Sequence, residues 1–282
     1  MAFTDNSDVF ASFHEDGFNR IVSHVRLQRP SLFNYATAAL ANTPRRLCQQ
    51  IPAHPIVATR ANPLATVVDP LPIPGTEFGL DFSVQIADVR LDFHPGNTVQ
   101  LPPELSPLKA QRLSLFVRLC LGIACPPDDL VDQLIPPPKV PAKEGRTDDR
   151  RPPDRAQERP PTPLRPIPFR ELRCVCLDAF VTGGARIRTY NGKPYLEPFL
   201  DGFEIVDIKP QQLEDALECY VKLILKLSVL PGLRVLLEMT PLDIIKDKVH
   251  LSLVPMPTGA ALPNNPAIED DLLKAFIKVE VN

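Results

Sequence analysis

The longest alternation of apolar and other residues in the chain lies at 111–124. Its even-numbered positions are mixed and include Arg118. A period of two predicts a β-strand, and the short length and central charge of the segment argue against a membrane-spanning helix. We therefore expect a long strand with one wholly aliphatic face, formed by Leu113, Leu115, Val117, Leu119, Leu121 and Ile123.

A second alternating segment, "EFGLDFSVQIADVRLDF", spans 77–93. Its apolar positions change phase at Ala87–Asp88, where one extra residue enters the pattern. A phase slip inside a strand predicts a β-bulge. The segment is therefore interpreted as a second long, bent strand over 78–93.

Further strands are predicted in the second half of the chain. Asn191–Gly192 is a strong hairpin signal between two strand-like segments, and Pro194 and Pro198 place the returning strand at a sheet edge. The segments "KVHLSLVP" and "LLKAFIKVEV" alternate in the same way. The chain thus carries seven or more expected strands.

Two segments have helical periodicity instead. The first lies between Ser7 and Pro30, with apolar residues at Phe10, Phe13, Gly17, Ile21 and Val25. The second begins near Pro210 and ends at Pro231–Gly232. Its apolar stripe consists of Leu213, Leu217, Tyr220, Ile224 and Leu227. Both patterns predict amphipathic helices that need an apolar surface to cover.

These elements predict an α+β fold in which a long, curved antiparallel β-sheet wraps two long amphipathic helices. Residues 136–168 are dense in proline and charge, so we expect a disordered linker there. The expected organisation is 1–135 and 169–282 as two halves of one roll, separated by that linker. Within it, "PPTPLR" at 160–165 fits a ligand for an aromatic-lined groove, although ordinary loop composition is the preferred explanation.

Composition restricts the function. The 282 residues are 44% hydrophobic and 23% charged with a net charge of −3, so neither nucleic acid nor an acidic membrane surface is an expected partner. The first residues show no secretory signal, and no segment predicts a transmembrane helix. None of the six cysteines forms a CxxC pair, so we expect reduced, mostly buried thiols and a cytoplasmic location.

The sequence offers little catalytic chemistry. It contains no nucleophile elbow, zinc-protease, phosphate-loop or dinucleotide motif. Cys174 and Cys176 share a strand face that could seat a soft metal, but a structural role is the simpler interpretation. Asp128 and Asp129 could pair as catalytic carboxylates, yet beside the linker solvated charges are expected. We therefore expect no enzyme activity, no metal and no cofactor.

The long strands at 78–93 and 111–124, and the strand-to-helix join "LDGFEIVDIKPQQLEDALECYVKLILKL", resemble the tubular lipid-binding (TULIP-like) superfamily. The resemblance covers about 5–125 and 169–282. It implies a twisted sheet wrapped around a long helix, with an apolar channel for lipid between them. The superfamily has no binding motif, so the resemblance transfers no individual residue.

The leading functional hypothesis is non-enzymatic binding of a lipid or other hydrophobic ligand in an apolar groove between helix and sheet. The expected ligand-binding residues are Leu113, Leu115, Val117, Leu119, Leu213, Leu217, Tyr220, Ile224 and Leu227. The alternative is a structural or adaptor subunit of a larger assembly, in which the same stripes form a closed core. In that case residues 136–168 would dock a protein partner.

Overall fold

A computed structural model of the chain describes most of both halves. The described residues are 7–74, 76–126, 164–169, 172–191, 193–206, 218, 221–223, 225–226, 230–232, 235–236, 242–245 and 249–281. The structure is mostly β-sheet, with 46% strand and 20% helix.

The largest unit is a seven-stranded sheet curled into a half-barrel. Its order is β11-β10-β9-β7-β6-β2-β3, where the strands are β2 Asn34–Thr37, β3 Thr66–Val68, β6 Phe82–Phe93, β7 Leu113–Ala124, β9 Leu172–Tyr190, β10 Lys193–Val206 and β11 Val235–Leu236. All its pairs are antiparallel except β2 with β3. Because β7 pairs with β9, the segments before and after the proline-rich region contribute to one sheet.

Two smaller sheets complete the strand topology. One has the order β1-β15-β13-β12, with β14 also paired to β15; its strands are β1 Val9–His14, β12 Leu242–Ile245, β13 Val249–Pro255, β14 Ala267–Glu269 and β15 Leu272–Val281. The other joins β4 Leu71–Pro72, β5 Phe78–Leu80 and β8 Arg165–Pro166. The first and last described strands of the chain, β1 and β15, are therefore neighbours.

Helices are short in the described part of the chain. They are α1 Glu15–Gln28, α2 Ala38–Ala41, α3 Pro55–Thr59 and α4 Leu230–Gly232, with 3-10 turns at Pro30–Leu32 and Pro44–Arg46. Residues 218 and 221–223 are also helical, and 225–226 are in a π-helical conformation. Of these, only α1 exceeds five residues. Its first turn carries Glu15 and Asp16 and is capped by the His14 side chain, which accepts from the Asp16 amide.

The α1 helix lies along a sheet edge and completes the hydrogen bonds of β6. The Asn19 amide group donates to the Leu91 carbonyl at 2.9 Å and accepts from the Leu91 N–H at 2.8 Å. One turn earlier, Glu15 Oε2 accepts from the Phe93 N–H at 2.6 Å. Because these side chains occupy backbone groups that another strand could pair with, α1 protects this part of the edge from further pairing.

The predicted α+β fold with a sheet wrapping two long helices is wrong. The first predicted helix starts only at Glu15, because Val9–His14 pairs with β15 as a strand. In addition, α1 is not enclosed, since Ile21 on its predicted apolar stripe is 54% exposed. The second predicted helix falls mainly on residues outside the described ones.

Several local predictions are confirmed. The β6–β7 register shifts between Ile86 and Asp88, where the phase of the apolar pattern changes. The β9–β10 hairpin turns at the predicted position, with Tyr190 opposite Lys193 and Asn191 at a φ of 52°. Most of the expected linker lies outside the described residues. At its end, however, Arg165–Pro166 pairs with β5 and Ile167 is buried, so the linker does not extend to residue 168.

Candidate functional site

The register of the central strands defines two faces of the sheet. On one face lie the odd-numbered residues of β7, which are all aliphatic, and their partners on β6 and β9. We call this the aliphatic face. On the other lie Ser83, Cys120, Gly122, Cys176 and their neighbours, which we call the polar face. An apolar ligand would bind to the aliphatic face.

One end of the aliphatic face is closed by packing. Leu91 and Phe93 form a buried cluster with Ile268, against which Phe18, Leu113, Leu115 and Leu273 pack. Beside it, Ala179, Phe203 and Ile205 are buried with Leu177, Val181, Val221 and Leu225 packed around them. This end is therefore covered by α1, by the sheet that contains β15, and by residues that follow β10.

The other end of the aliphatic face is not closed in the same way. Ile123 is 43% exposed although β7 is paired on both sides there, and Val175 is 51% exposed on a part of β9 that lies beyond its last described pair with β10, Asp178–Val206. Of their paired neighbours, Phe82 and Leu121 are half-buried and Arg173 is exposed. We define the open aliphatic patch as Val84, Ile86, Val117, Leu119, Leu121, Ile123, Val175 and Leu177, the last of which marks its boundary with the buried cluster around Ala179. Three adjacent strands contribute to it.

The structure divides the residues that the sequence selects for ligand binding. Leu113 and Leu115 pack against the buried cluster, whereas Val117 and Leu119 lie in the open patch. The five others, Leu213, Leu217, Tyr220, Ile224 and Leu227, lie outside the described residues. Among the patch members that the selection omits, Val84 and Val175 lie in the same row as Leu121. Strand alternation could have identified Val84, but its pairing with β7 is needed to place it.

The polar face carries two disulfide bonds. Cys48 is bonded to Cys174, and Cys120 is bonded to Cys176, its register partner on the adjacent strand. Cys125 is free and exposed. The expectation of reduced cysteines is therefore wrong for four of the six.

Gly122 lets the first disulfide approach the sheet. A Cβ atom at this position would lie 2.7 Å from Cys48 Sγ and 2.8 Å from Ser83 Oγ, closer than van der Waals contact permits. The segment that carries Cys48 has its own small core of Ala36, Leu40, Leu47 and Ala65, with Leu172 of β9 packed against it. Small residues thus allow this segment to cover the polar face directly.

Gln85 connects the covering segment to the sheet with hydrogen bonds. Its side-chain oxygen accepts from the Gln49 N–H at 2.8 Å, and its amide nitrogen donates to the Gln49 carbonyl at 2.9 Å and to Asn34 at 3.1 Å. Gln85 is 2% exposed, so these bonds satisfy a polar group that would otherwise be costly to bury.

A buried carboxyl lies at the opposite end of β6. Glu15 is 2% exposed and accepts hydrogen bonds from the Phe93 N–H and from Thr98 Oγ1, both at 2.6 Å. Burial raises the pKa of this carboxyl, and the two hydrogen bonds act against the rise. Since both oxygens are already engaged with the protein, we interpret Glu15 as a structural group that holds α1 to the sheet.

Comparison with known proteins adds no relative: no family model and no curated protein matches the chain. Within the part of the chain that the structure describes, three or more metal-ligating side chains do not gather at any point. The helices described are also too short or too polar to cross a membrane. The candidate site therefore rests on the geometry of the open aliphatic patch alone.

Proposed function

We propose that the protein binds a lipid or another elongated apolar ligand along the open aliphatic patch. The observation that carries the proposal is the exposure of Ile123 on β7, which is paired on both sides, together with that of Val175 on the adjacent strand β9. Soluble proteins seldom leave contiguous aliphatic surface uncovered unless a ligand or partner occupies it. The resemblance of the sequence to tubular lipid-binding proteins is a second argument for this proposal.

The chemistry of the patch favours an acyl chain over a polar metabolite. Its members are Val, Leu and Ile only, so they offer no side-chain hydrogen bond to fix a polar group. An acyl chain laid along them would gain roughly 0.8 kcal/mol for each methylene removed from water. The rows Val84–Leu121–Val175 and Ile86–Leu119–Leu177 run across three strands, so a chain could contact several residues at once.

The proposal assigns no catalytic step, because the patch holds no nucleophile, acid or base. The cytoplasmic location stays a prediction from the sequence. The two disulfides argue against it, since cytosolic thiols are kept reduced.

Mass spectrometry of an organic extract of the gently purified full chain tests the proposal. We expect a lipid or other apolar molecule in near-stoichiometric amount, absent from an extract of an unrelated protein purified in parallel. A clean extract from folded, monomeric protein, together with no uptake of a fluorescent fatty acid, would contradict the proposal. A clean extract from protein that self-associates would assign the patch to contact between copies of the chain instead.

A matched pair of variants ties the ligand to the patch. Val175→Asp introduces a charge into the open aliphatic patch, whereas Val67→Asp does so at another exposed valine, on β3, which is 61% exposed. Both variants should unfold within about 0.5 kcal/mol of the wild type, because both side chains face solvent. We expect Val175→Asp to lose the bound molecule and Val67→Asp to retain it; equal retention would place the ligand elsewhere.

A further inference from the structure

A cavity of about 730 Å³ lies at the end of the central sheet where β7 begins. It is lined by residues from five separate segments, among them Arg112, Arg186, Phe199 and Lys226. Its volume is in the range of sites that hold small organic ligands, roughly 300–1,000 Å³. The residues that line it include no member of the open aliphatic patch, so this cavity is separate from that patch.

The wall of the cavity contains an aromatic ring between two guanidinium groups. Phe199 pairs with Gly184, and its ring occupies the space above that glycine, where a Cβ atom would lie 2.7 Å from Phe199 Cζ. The guanidinium carbon of Arg112 lies 4.9 Å from the ring centroid, and that of Arg186 lies 5.2 Å from it. The ring holds both cations in place, which limits the entropy lost when they bind a ligand.

Carboxylates orient the two arginines without cancelling the positive charge of the wall. Asp201 pairs with Arg112, and Glu197 pairs with Arg186 at 3.1 Å. Glu197 is shared, however, because Arg188 lies 3.5 Å from the same oxygen and Tyr190 donates to the other at 2.8 Å. Its charge is thus divided among several donors.

Lys226 adds a third cation to the cavity wall. No carboxylate in the described part of the chain pairs with it, whereas Lys222, one turn earlier, lies 3.8 Å from Glu218. Apolar surface around these cations comes from Leu230, Pro231 and Pro266. The cavity therefore combines an excess of positive charge with an aromatic and aliphatic wall, a combination suited to an organic anion.

We propose that this cavity binds a small organic anion, whose phosphate or carboxylate group is held by Arg112, Arg186 and Lys226 and whose apolar body lies against Phe199 and the prolines. Guanidinium groups fixed beside an aromatic ring favour planar or phosphorylated groups through paired N–H donors. The site is independent of lipid binding at the open aliphatic patch, so each proposal can fail without the other.

Phenyl phosphate is a suitable probe because it carries both an aromatic body and a dianion. We expect saturable binding to the full-length protein by isothermal titration calorimetry, weaker binding of inorganic phosphate, and little binding of phenol at the same concentration. Vesicles that contain phosphatidic acid serve as a separate arm: binding to them with no binding of phenyl phosphate would overturn a site for a free anion.

Three variants locate the binding. Lys226→Gln should weaken phenyl phosphate several-fold and Arg186→Gln about tenfold, because each removes a charged donor. Lys222→Gln, which changes a lysine of the same segment outside the cavity, should leave the affinity unchanged. If Arg186→Gln does not fold, the affinity of Lys226→Gln alone tests the proposal, because Lys226 is exposed and its substitution should leave the fold intact. Absence of saturable binding up to 10 mM probe, or equal affinity in Lys226→Gln and Lys222→Gln, would overturn the proposal.

Discussion

The two faces of the central sheet differ in burial, and the difference is opposite to the one that their composition predicts. At the end where β7 finishes, Ile123 on the aliphatic face is exposed, whereas Gly122 and Ser83 on the polar face are buried. On β9 the contrast is absent, since Val175 and its neighbours Cys174 and Cys176 are all exposed. The same strands form both faces, so strand propensity cannot explain the difference. What decides burial here is which part of the chain lies over each face.

The polar face is covered because small residues let another segment come close. Gly122 and Ser83 present almost no side-chain volume, and the Cys48–Cys174 bond attaches the covering segment directly above them. Gln85 then supplies hydrogen bonds in place of apolar contact. On the aliphatic face, bulky side chains without such an attachment remain available to a ligand.

The largest expected effect comes from removing the bond that attaches the covering segment. Cys48 and Cys174 are separated by 126 residues, so their disulfide restricts a long loop in the unfolded chain. The double variant Cys48→Ser with Cys174→Ser should lose about 4–5 kcal/mol of the free energy of unfolding. Urea unfolding followed by circular dichroism measures the loss.

The matched control for this variant is Cys120→Ser with Cys176→Ser. These residues are 56 apart, so the shorter loop predicts a slightly smaller loss, about 4 kcal/mol. In excess reductant both double variants should approach the stability of the reduced wild type. An equal loss in the two variants would show that the Cys48 attachment has no special role in covering the polar face.

The next prediction compares the closed and open ends of the aliphatic face. Leu91 is 9% exposed in a buried cluster, so Leu91→Ala should cost about 3 kcal/mol through lost contacts and a cavity. Val175→Ala should change the free energy of unfolding by about 0.5 kcal/mol or less. Chemical denaturation of both variants provides the test, and a cost above about 1.5 kcal/mol for Val175→Ala would mean that the patch is covered.

Much of this sheet follows from local pattern. Alternation places Leu119 and Cys120 on opposite faces, the phase slip at Ala87–Asp88 locates the bulge, and Asn191–Gly192 fixes the hairpin. These features depend on residues close in sequence, so periodicity and turn chemistry are sufficient to predict them.

The features that cannot be predicted from the sequence depend on contacts between residues that are far apart in the chain. Phe10 and Phe13 fit a helical period, but strand β15, far along the chain, pairs with them and delays the start of α1. The positions of six cysteines do not determine which of them pair, so the disulfides could not be predicted from the sequence. The cavity beside Phe199 likewise assembles Arg112, Arg186 and Lys226 from segments that no spacing rule connects.

A single methyl group provides a sharper test of close approach on the polar face. Gly122→Ala would place its Cβ against Cys48 Sγ and Ser83 Oγ, and the sulfur cannot move freely because it is bonded to Cys174. We expect a loss of about 2 kcal/mol from overpacking. Gly259→Ala is the control, since no atom lies within 4 Å of the added carbon. If both variants unfold at the same urea concentration, the covering segment does not rest on Gly122.

The smallest effect concerns the centre of the polar face, where Arg118 and Asp178 are more exposed than Gly122 and Ser83 at its end. Arg118 pairs with Asp178 through two hydrogen bonds of 2.7 Å, with the two side chains 48% and 30% exposed. The Arg118 hydrogen bonds lower the pKa of the Asp178 carboxyl. A lowered carboxyl pKa means that the pair stabilises the fold above the ordinary pKa of 3.8 and that this stability is lost as the pH falls through the lowered value.

Because the pair is exposed to solvent, Asp178→Asn should cost less than about 1 kcal/mol at pH 7 and still less in 1 M salt. The difference between the variant and the wild type should disappear as the pH is lowered below the pKa of Asp178, which urea unfolding over a pH series would measure. A difference that stays constant across the series, or exceeds the loss in Gly122→Ala, would show that the centre of the polar face is covered as closely as its end. The two faces would then differ in composition but not in how closely other segments of the chain pack over them.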